Sequence, residues 1–209
     1  MTESTKPSFT RSDLSLLQHE VCYQGFYRLS RLTLEHPKFE GDSSGAFVRE
    51  LFERGDSAAV LLFDPERDKL LLVEQFRVGA LGDETSPWLI ECVAGIVEEG
   101  ESPDEVVVRE AREEAGCEVK QLEKIFSYWV SPGGSDERMH LYCGCIDSAG
   151  LGGIHGLDDE HEDIRVLVLS GDEAISLMGS QRIDNSLTLL AMQWFMMNRE
   201  RLLSQWGSQ

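Results

Sequence analysis

Residues 95–117 read GIVEEGESPDEVVVREAREEAGC, and the division of this stretch into a loop and a helix decides the fold. Ser102 can cap a helix and Pro103 suits its first position. Glu105 lies three residues after the cap, where its carboxylate can reach back to the Ser102 N–H. Gly116 suits the residue that closes a helix in a left-handed turn. Between these ends Val107, Val108, Ala111 and Ala115 share a stripe roughly 100° wide, the face expected to pack on a core. Glu110, Glu113 and Glu114 fall on another side, with Glu110 and Glu114 one turn apart. Two carboxylates about 4 Å apart repel by roughly 4 kcal/mol at an effective dielectric of about 20, before salt screening. Solvent or a hard cation can absorb that repulsion. Mg²⁺ or Mn²⁺, with oxygen ligands shared between carboxylates and phosphates, suits such a pair. Taken alone, the pattern suits a solvated acidic helix face better than a metal site.

Strands flank this helix on both sides. Partial alternation over residues 21–34 predicts one strand, Gly41-Asp-Ser-Ser-Gly45 a turn, and residues 46–53 a returning strand. Residues 58–63 are apolar throughout, as a buried strand is, and the Pro65 turn leads to a partner strand over 69–76. A polar loop over 79–87 precedes a short apolar strand over 88–94. After the helix, residues 119–130, 138–146 and 164–169 read as strands, separated by the Gly- and acid-rich loop GLGGIHGLDDEHED at 150–163. Ser170 and Glu173 cap a short helix, and Asp184 is expected to cap a long one carrying Leu187, Leu190, Ala191, Trp194 and Leu202 at helical spacing. Strands on both sides of one central helix, with helices at the end, predict an α+β sandwich rather than alternating βαβ units. Residues 1–54 are expected to form a separate strand arm and residues 55–209 the main domain.

Composition narrows the function. Hydrophobic residues make up 41% of 209, enough for an ordinary core. No apolar run approaches the roughly 18 to 20 residues of a membrane helix. MTESTKPSFT carries no apolar stretch of a signal peptide, so a cytoplasmic location is expected. The five cysteines are odd in number and scattered, as reduced thiols are. Cys143 and Cys145 are taken to point to opposite faces of one strand, hence to share no ligand. The formal charge of −19 repels nucleic acid and offers it no counterion release. Nine of the acids lie between Glu98 and Glu118, with only Arg109 and Arg112 to balance them. That local density calls for more than solubility.

Gly95, five residues, Glu101, seven residues, then Arg109-Glu110-Ala111-x-Glu113-Glu114-x-Gly116-Cys117 resembles, at every fixed position, the signature of the Nudix hydrolase family. Ala111 and Cys117 stand where the family prefers bulky aliphatics, a departure that touches packing rather than ligation. The likeness extends over nearly the whole chain. Glu53-Arg54-Gly55, Glu74-Gln75-Phe76-Arg77, Glu91-x-Val93-Ala94-Gly95, Ser131-Pro132-Gly133-Gly134 with Glu137, and Gly153-Ile154-His155-Gly156 with Glu160 and Glu162 are similar to the bacterial branch of that family that hydrolyses ADP-ribose. Pro132, fifteen residues after Cys117, falls about where that branch carries a marker proline.

The resemblance implies a Nudix-type α/β/α sandwich with a mixed sheet and an N-terminal antiparallel strand arm. It implies Mg²⁺-dependent cleavage of the diphosphate of ADP-ribose to AMP and ribose 5-phosphate, with two or more Mg²⁺ ions, or Mn²⁺, per site. Glu110, Glu114 and the Ala94 carbonyl would hold metal, with Glu162 as a further ligand. Glu160 would be the general base, with Glu113 as the helix alternative. Arg109 would orient carboxylates and Glu101 brace the turn before the helix. Arg49, Arg54 and Arg77 match phosphate or ribose contacts, Phe26 and Tyr27 the adenine stack, and Glu50 its amino group. Ile96 joins the substrate-binding set, while Ser131, Pro132, Gly133 and Glu137 would line the terminal ribose. His155 and His161 read as loop-packing or solvent histidines. In several relatives the arms are exchanged, so a homodimer with shared sites is expected. The competing readings are a hydrolase of another nucleotide sugar such as GDP-mannose, a non-catalytic ADP-ribose sensor regulating a partner, and an acidic interaction module with an accidental motif.

Overall fold

The computed structural model describes residues 6–207 and builds its larger sheet on a strand with no exposed face. In β4 (Asp56–Asp64) every residue after Asp56 is buried. Ala58, Val60 and Leu62 join one apolar cluster, while Ala59, Leu61 and Phe63 join another on the opposite face. A strand covered on both sides needs no polar alternation, which is why SAAVLLF reads as a continuous run. β5 (Lys69–Phe76) returns antiparallel to it, Leu71 and Val73 facing the first cluster, Leu70 and Leu72 the second. β6 (Trp88–Glu91) pairs with β5, and β7 (Val93–Ile96) pairs with β4. With β8 (Gln121–Trp129), β9 (Arg138–Cys145), β10 (Gly153–His155) and β11 (Ile164–Ser170), the path runs β10-β11-β5-β4-β9-β8. The Arg138 and Ile146 N–H groups donate to Gly55 and Phe63 carbonyls respectively, so β9 runs parallel to β4 and the sheet is mixed.

Helices cover both faces. From α1 (Pro103–Glu113), Val106, Val107 and Ala111 pack with Ala115 against the first cluster. On the other face lie Ala174 of α2 (Gly171–Gly179) and Ala191, Met192, Phe195, Leu202 and Trp206 of α3 (Ser186–Trp206). Among the described residues no helix is long and apolar enough to cross a membrane.

Contacts divide the chain into two compact units, Asp56–Tyr128 with Met139 onward, and the chain up to Gly55 with Trp129–Arg138. The second unit holds an antiparallel sheet of β1 (Ser15–Gln24), β2 (Arg28–Glu35) and β3 (Phe47–Glu53). Its strands leave only Ser30 fully buried. The Phe52 N–H donates to the Gly134 carbonyl at 2.8 Å, tying the 131–137 turn to β3.

Five local expectations are corrected. Residues 21–34 form parts of two strands, because Gly25 turns the chain, its N–H donating to the Tyr27 carbonyl at 2.9 Å. Residues 88–94 are also two strands. The Cys92 N–H between them donates to Thr188 Oγ1 at 3.0 Å, and the chain passes from β5 to β4 there. Asn185, not Asp184, caps α3, accepting from the Thr188 N–H at 3.0 Å. Val106 takes the core place expected of Val108, which is only half-buried. Cys143 and Cys145, two residues apart on β9, lie in the same core layer, as the two-residue period of a strand requires.

Candidate active site

The loop before α1 is pinned by charge. Glu105 accepts from the Ser102 N–H and hydroxyl at 2.9 and 2.6 Å. Arg109 donates to both oxygens of Glu101, at 3.1 and 3.2 Å, and to Glu110 and Glu113 at 2.8 and 2.9 Å. One guanidinium thus fixes the approach loop to two of the helix acids, the orienting role expected of Arg109 and the brace expected of Glu101. At the other end the Gly116 and Cys117 N–H groups donate to the Arg112 and Ala111 carbonyls, and Gly116 ends the helix in the left-handed region at φ +61°. Gly95 answers a closer approach. A Cβ there would lie 1.9 Å from Glu110 Oε1.

Glu114 departs most from the sequence reading, which set it on an accessible acidic face. It is 2% exposed, and its carboxylate accepts from the Ala94 N–H on β7 at 3.2 Å. Burial, then the charges of Glu110 and Glu162, push its carboxyl up to about 8 against the pull of Arg77 and the Ala94 amide. Burial and the neighbouring Glu113 and Glu162 raise Glu110 to about 7, despite Arg109. Two carboxyls that resist ionisation this strongly are under-compensated, since Arg109 divides its donors among Glu110, Glu113 and Glu101 and Arg77 is engaged by Glu91 at 2.6 Å. A hard divalent cation fits that donor set. Among the described residues no three His, Cys, Asp or Glu side chains enclose an ion by themselves. Backbone or substrate oxygens would have to complete its shell. Ile96 ends β7, half-buried, next to Gly95.

The 150–163 loop docks on the end of α1. The Gly156 N–H donates to the Glu113 carbonyl at 3.4 Å, and the His155 ring lies where a Gly116 Cβ would be, 2.6 Å from its Cε1. His155 is therefore a packing residue, bonded through Nε2 to Gly152 O at 3.0 Å. Glu162 accepts from the Leu157 N–H at 3.2 Å. Glu160 ends a 3-10 turn over Asp158–Glu160 and is exposed. Glu160, His161, Glu162 and Asp163 line one side of a cleft of about 430 Å³, and Gln75, Phe76, Arg77 and Trp88 line the other. The structure thus gathers Arg77, Glu160 and Glu162 along one cleft. The two-residue period of β5 sets the face of Gln75, but which groups surround Glu91 and Gln75 depends on β5 pairing with β6.

The remaining expected residues lie in the arm unit. Phe26, 85% exposed, meets the Tyr27 ring edge-on at 4.8 Å. Arg54 stands 4.7 Å over the Tyr27 ring, and its Nε lies 3.4 Å from the Glu137 carboxylate. Arg49 and Glu50 are exposed on β3, and Ser131, Pro132 and Gly133 are exposed in the turn after β8.

A family model described as the NUDIX domain matches residues 53–187. The ADP-ribose pyrophosphatase of Haemophilus influenzae is 43% identical over 201 residues, covering 95% of this chain and 93% of its own. That of Escherichia coli is 42% identical over 200 residues, 96% of each chain. The GDP-mannose pyrophosphatase of Pectobacterium atrosepticum is 37% identical over 147 residues, 70% of this chain and 75% of its own. A solved structure described as an ADP compounds hydrolase has the same fold, with a TM-score of 0.70 at 18% identity over 96% of this chain and 100% of its own. A signature complete at α1 and its approach loop, a matching domain model across most of the sequence, and relatives aligned along nearly all of it make this chain a member of the Nudix family.

Proposed function

We propose that the chain hydrolyses the diphosphate of ADP-ribose to AMP and ribose 5-phosphate, using Mg²⁺ at the Glu110–Glu114 pair. The observation that carries this reading is the Glu110–Glu114 pair, held against ionisation by burial and by neighbouring carboxylates, with the charges of Arg77 and Glu162, which line a nearby cleft, acting on it. The substrate is inferred from the ADP-ribose pyrophosphatases that are 42 and 43% identical to this chain. Glu110, Glu114, Glu162 and the Ala94 carbonyl are the residues that would hold metal, two or more ions, with Mn²⁺ an alternative. Bound there, the cation supplies charge neutralisation for the diphosphate and for the oxygen released from it. Arg77 orients the diphosphate by hydrogen bonds. Glu160, exposed on a loop at the cleft edge, takes the proton of the attacking water, and Glu113 is the helix alternative. Water adds at one phosphorus, the bridging P–O bond breaks, and the departing phosphate keeps the electron pair. Residues 1–54 supply the arm and 55–209 the hydrolase domain, whose Trp129–Arg138 segment belongs to the compact unit of the arm. In the arm Phe26 and Tyr27 stack adenine, Glu50 accepts from its amino group, and Arg49 and Arg54 contact phosphate or ribose. Ile96, Ser131, Pro132, Gly133 and Glu137 complete the substrate contacts. The arm acts in a homodimer with shared sites. A cytoplasmic location suits the five free cysteines.

Mass spectrometry of the products formed with Mg²⁺ in ¹⁸O water tests the reaction. One ¹⁸O in either AMP or ribose 5-phosphate is expected, together with faster turnover of ADP-ribose than of GDP-mannose or ADP-glucose. The opposite preference would move the substrate to another nucleotide sugar, and binding without turnover would make the protein a sensor.

A further inference from the structure

Gln75 is buried in the cleft wall without a use in the fold or in the chemistry above. It follows Leu71 and Val73 at the two-residue period, so it shares the face of β5 that meets α1, and Arg77 continues that spacing past the strand. Its side chain is 6% exposed, and its Nε2 has no hydrogen-bond partner among the described residues. The same residue lines the cleft of Arg77, Trp88, Glu160 and Glu162. A buried amide without a partner is unfavourable, and an apolar side chain of that size next to Val73 would remove the penalty. Its neighbours are already engaged, Arg77 by Glu91 and Glu162 by the Leu157 N–H. A neutral amide can donate to an anion without drawing a carboxylate away from a cation.

We propose that Gln75 is a substrate-binding residue whose amide donates to an anionic oxygen of the diphosphate beside Arg77, once the loop around Glu160–Asp163 moves outward to admit the ligand. This inference rests on reading the chain as a nucleotide-sugar hydrolase. It adds a neutral donor to a site otherwise described by charges.

The test compares wild type, Gln75→Leu and Gln75→Glu. It measures kinetics on ADP-ribose with Mg²⁺, calorimetric binding of the α,β-methylene analogue of ADP-ribose, and Tm. Loss of one hydrogen bond to a charged group predicts a rise of roughly 10- to 100-fold in KM and in analogue Kd for Gln75→Leu, with little change in kcat. Its Tm should be equal or higher, because the unpaired group is gone. Gln75→Glu should weaken binding further, by repulsion. Wild-type KM and Kd in Gln75→Leu would overturn the proposal. So would a KM rise that comes with a lower Tm, which assigns the amide to the fold. A shift in the acid limb of kcat at constant KM would assign it to Glu160 instead. If the wild type cleaves no nucleotide sugar, the parent reading falls first and takes this inference with it.

Discussion

Glu114 and Glu110 set the cost of the site. Each carboxyl sits above its ordinary value of 4.5, near 8 and 7, because burial and neighbouring carboxylates disfavour the charged form. An acid whose folded value is raised binds its proton more tightly folded than unfolded. Without cation, stability is therefore greatest below the ordinary value and falls as pH rises toward about 7 to 8. Mg²⁺ should offset that loss, so its effect on Tm should be small near about pH 5 and large near about pH 8.5. Equal Tm shifts at both pH values would remove the carboxylate pair as the metal site. Gly95→Ala is the sharpest steric probe, since its methyl would meet Glu110 Oε1. Displacing that carboxylate by about 1 Å should lower kcat by roughly 10²-fold. Normal activity in that variant would show that Glu110 need not stay where it is. For the base, Glu160→Gln should cut kcat by roughly 10² to 10⁴ with analogue affinity kept. Glu162→Gln should instead give a defect that higher Mg²⁺ relieves. If Glu113→Gln loses kcat while Glu160→Gln does not, the base sits on α1.

Among the elements, α1 shows how far a sequence carries a fold. Its start and stop were legible because caps act over a few residues. Ser102, Pro103 and Glu105 open the helix and Gly116 closes it as their chemistry dictates. The spacing of Glu110 and Glu114 was legible for the same reason. The burial of Glu114 was not, because the helix period gives only a direction, and it is β7 that closes over the side chain through the Ala94 amide. Gly25 was missed as a turn because apolar and aromatic residues continue on both sides of it. Glu91 and Gln75 gain their surroundings from the pairing of β5 with β6 across the polar loop, and from the acidic loop far along the chain, which no local pattern encodes. The closure of α1 makes a prediction of its own. Gly116 adopts φ +61° and its missing Cβ leaves room for His155, which carries the acidic loop. Gly116→Ala should therefore destabilise the chain by more than about 1 kcal/mol in urea unfolding. It should also speed amide exchange at Gly156, whose N–H donates to Glu113. Unchanged exchange there would mean that the loop does not depend on this docking.

At the scale of the whole molecule, the exposed apolar residues of the arm bear on the proposed dimer. A three-stranded sheet needs an apolar face packed on something. Here β1 is exposed along its whole length, with Leu16, Leu17, Val21 and Tyr23 uncovered, and Phe26 and Phe52 are exposed as well. A second copy is the covering surface expected of the proposed dimer. Its copies carry −19 each, so long-range charge opposes association, and salt, which shortens the Debye length to about 3 Å at 1 M, should strengthen it. Sedimentation at micromolar concentration should thus give a dimer that persists or tightens as salt rises. A monomer, or a dimer that salt dissociates, would contradict an apolar interface. Function offers a second reading of the same geometry. If the arm of one copy completes the site of the other, Phe26→Ala should raise KM more than it lowers kcat. Arg49→Ala and Glu114→Gln, each inactive alone, should then recover activity on mixing. Random exchange makes half of the dimers mixed, and each mixed dimer has one intact site made from the wild-type arm of one chain and the wild-type helix of the other. Recovery should therefore approach a quarter of wild-type activity, whereas sites built within single chains would recover none.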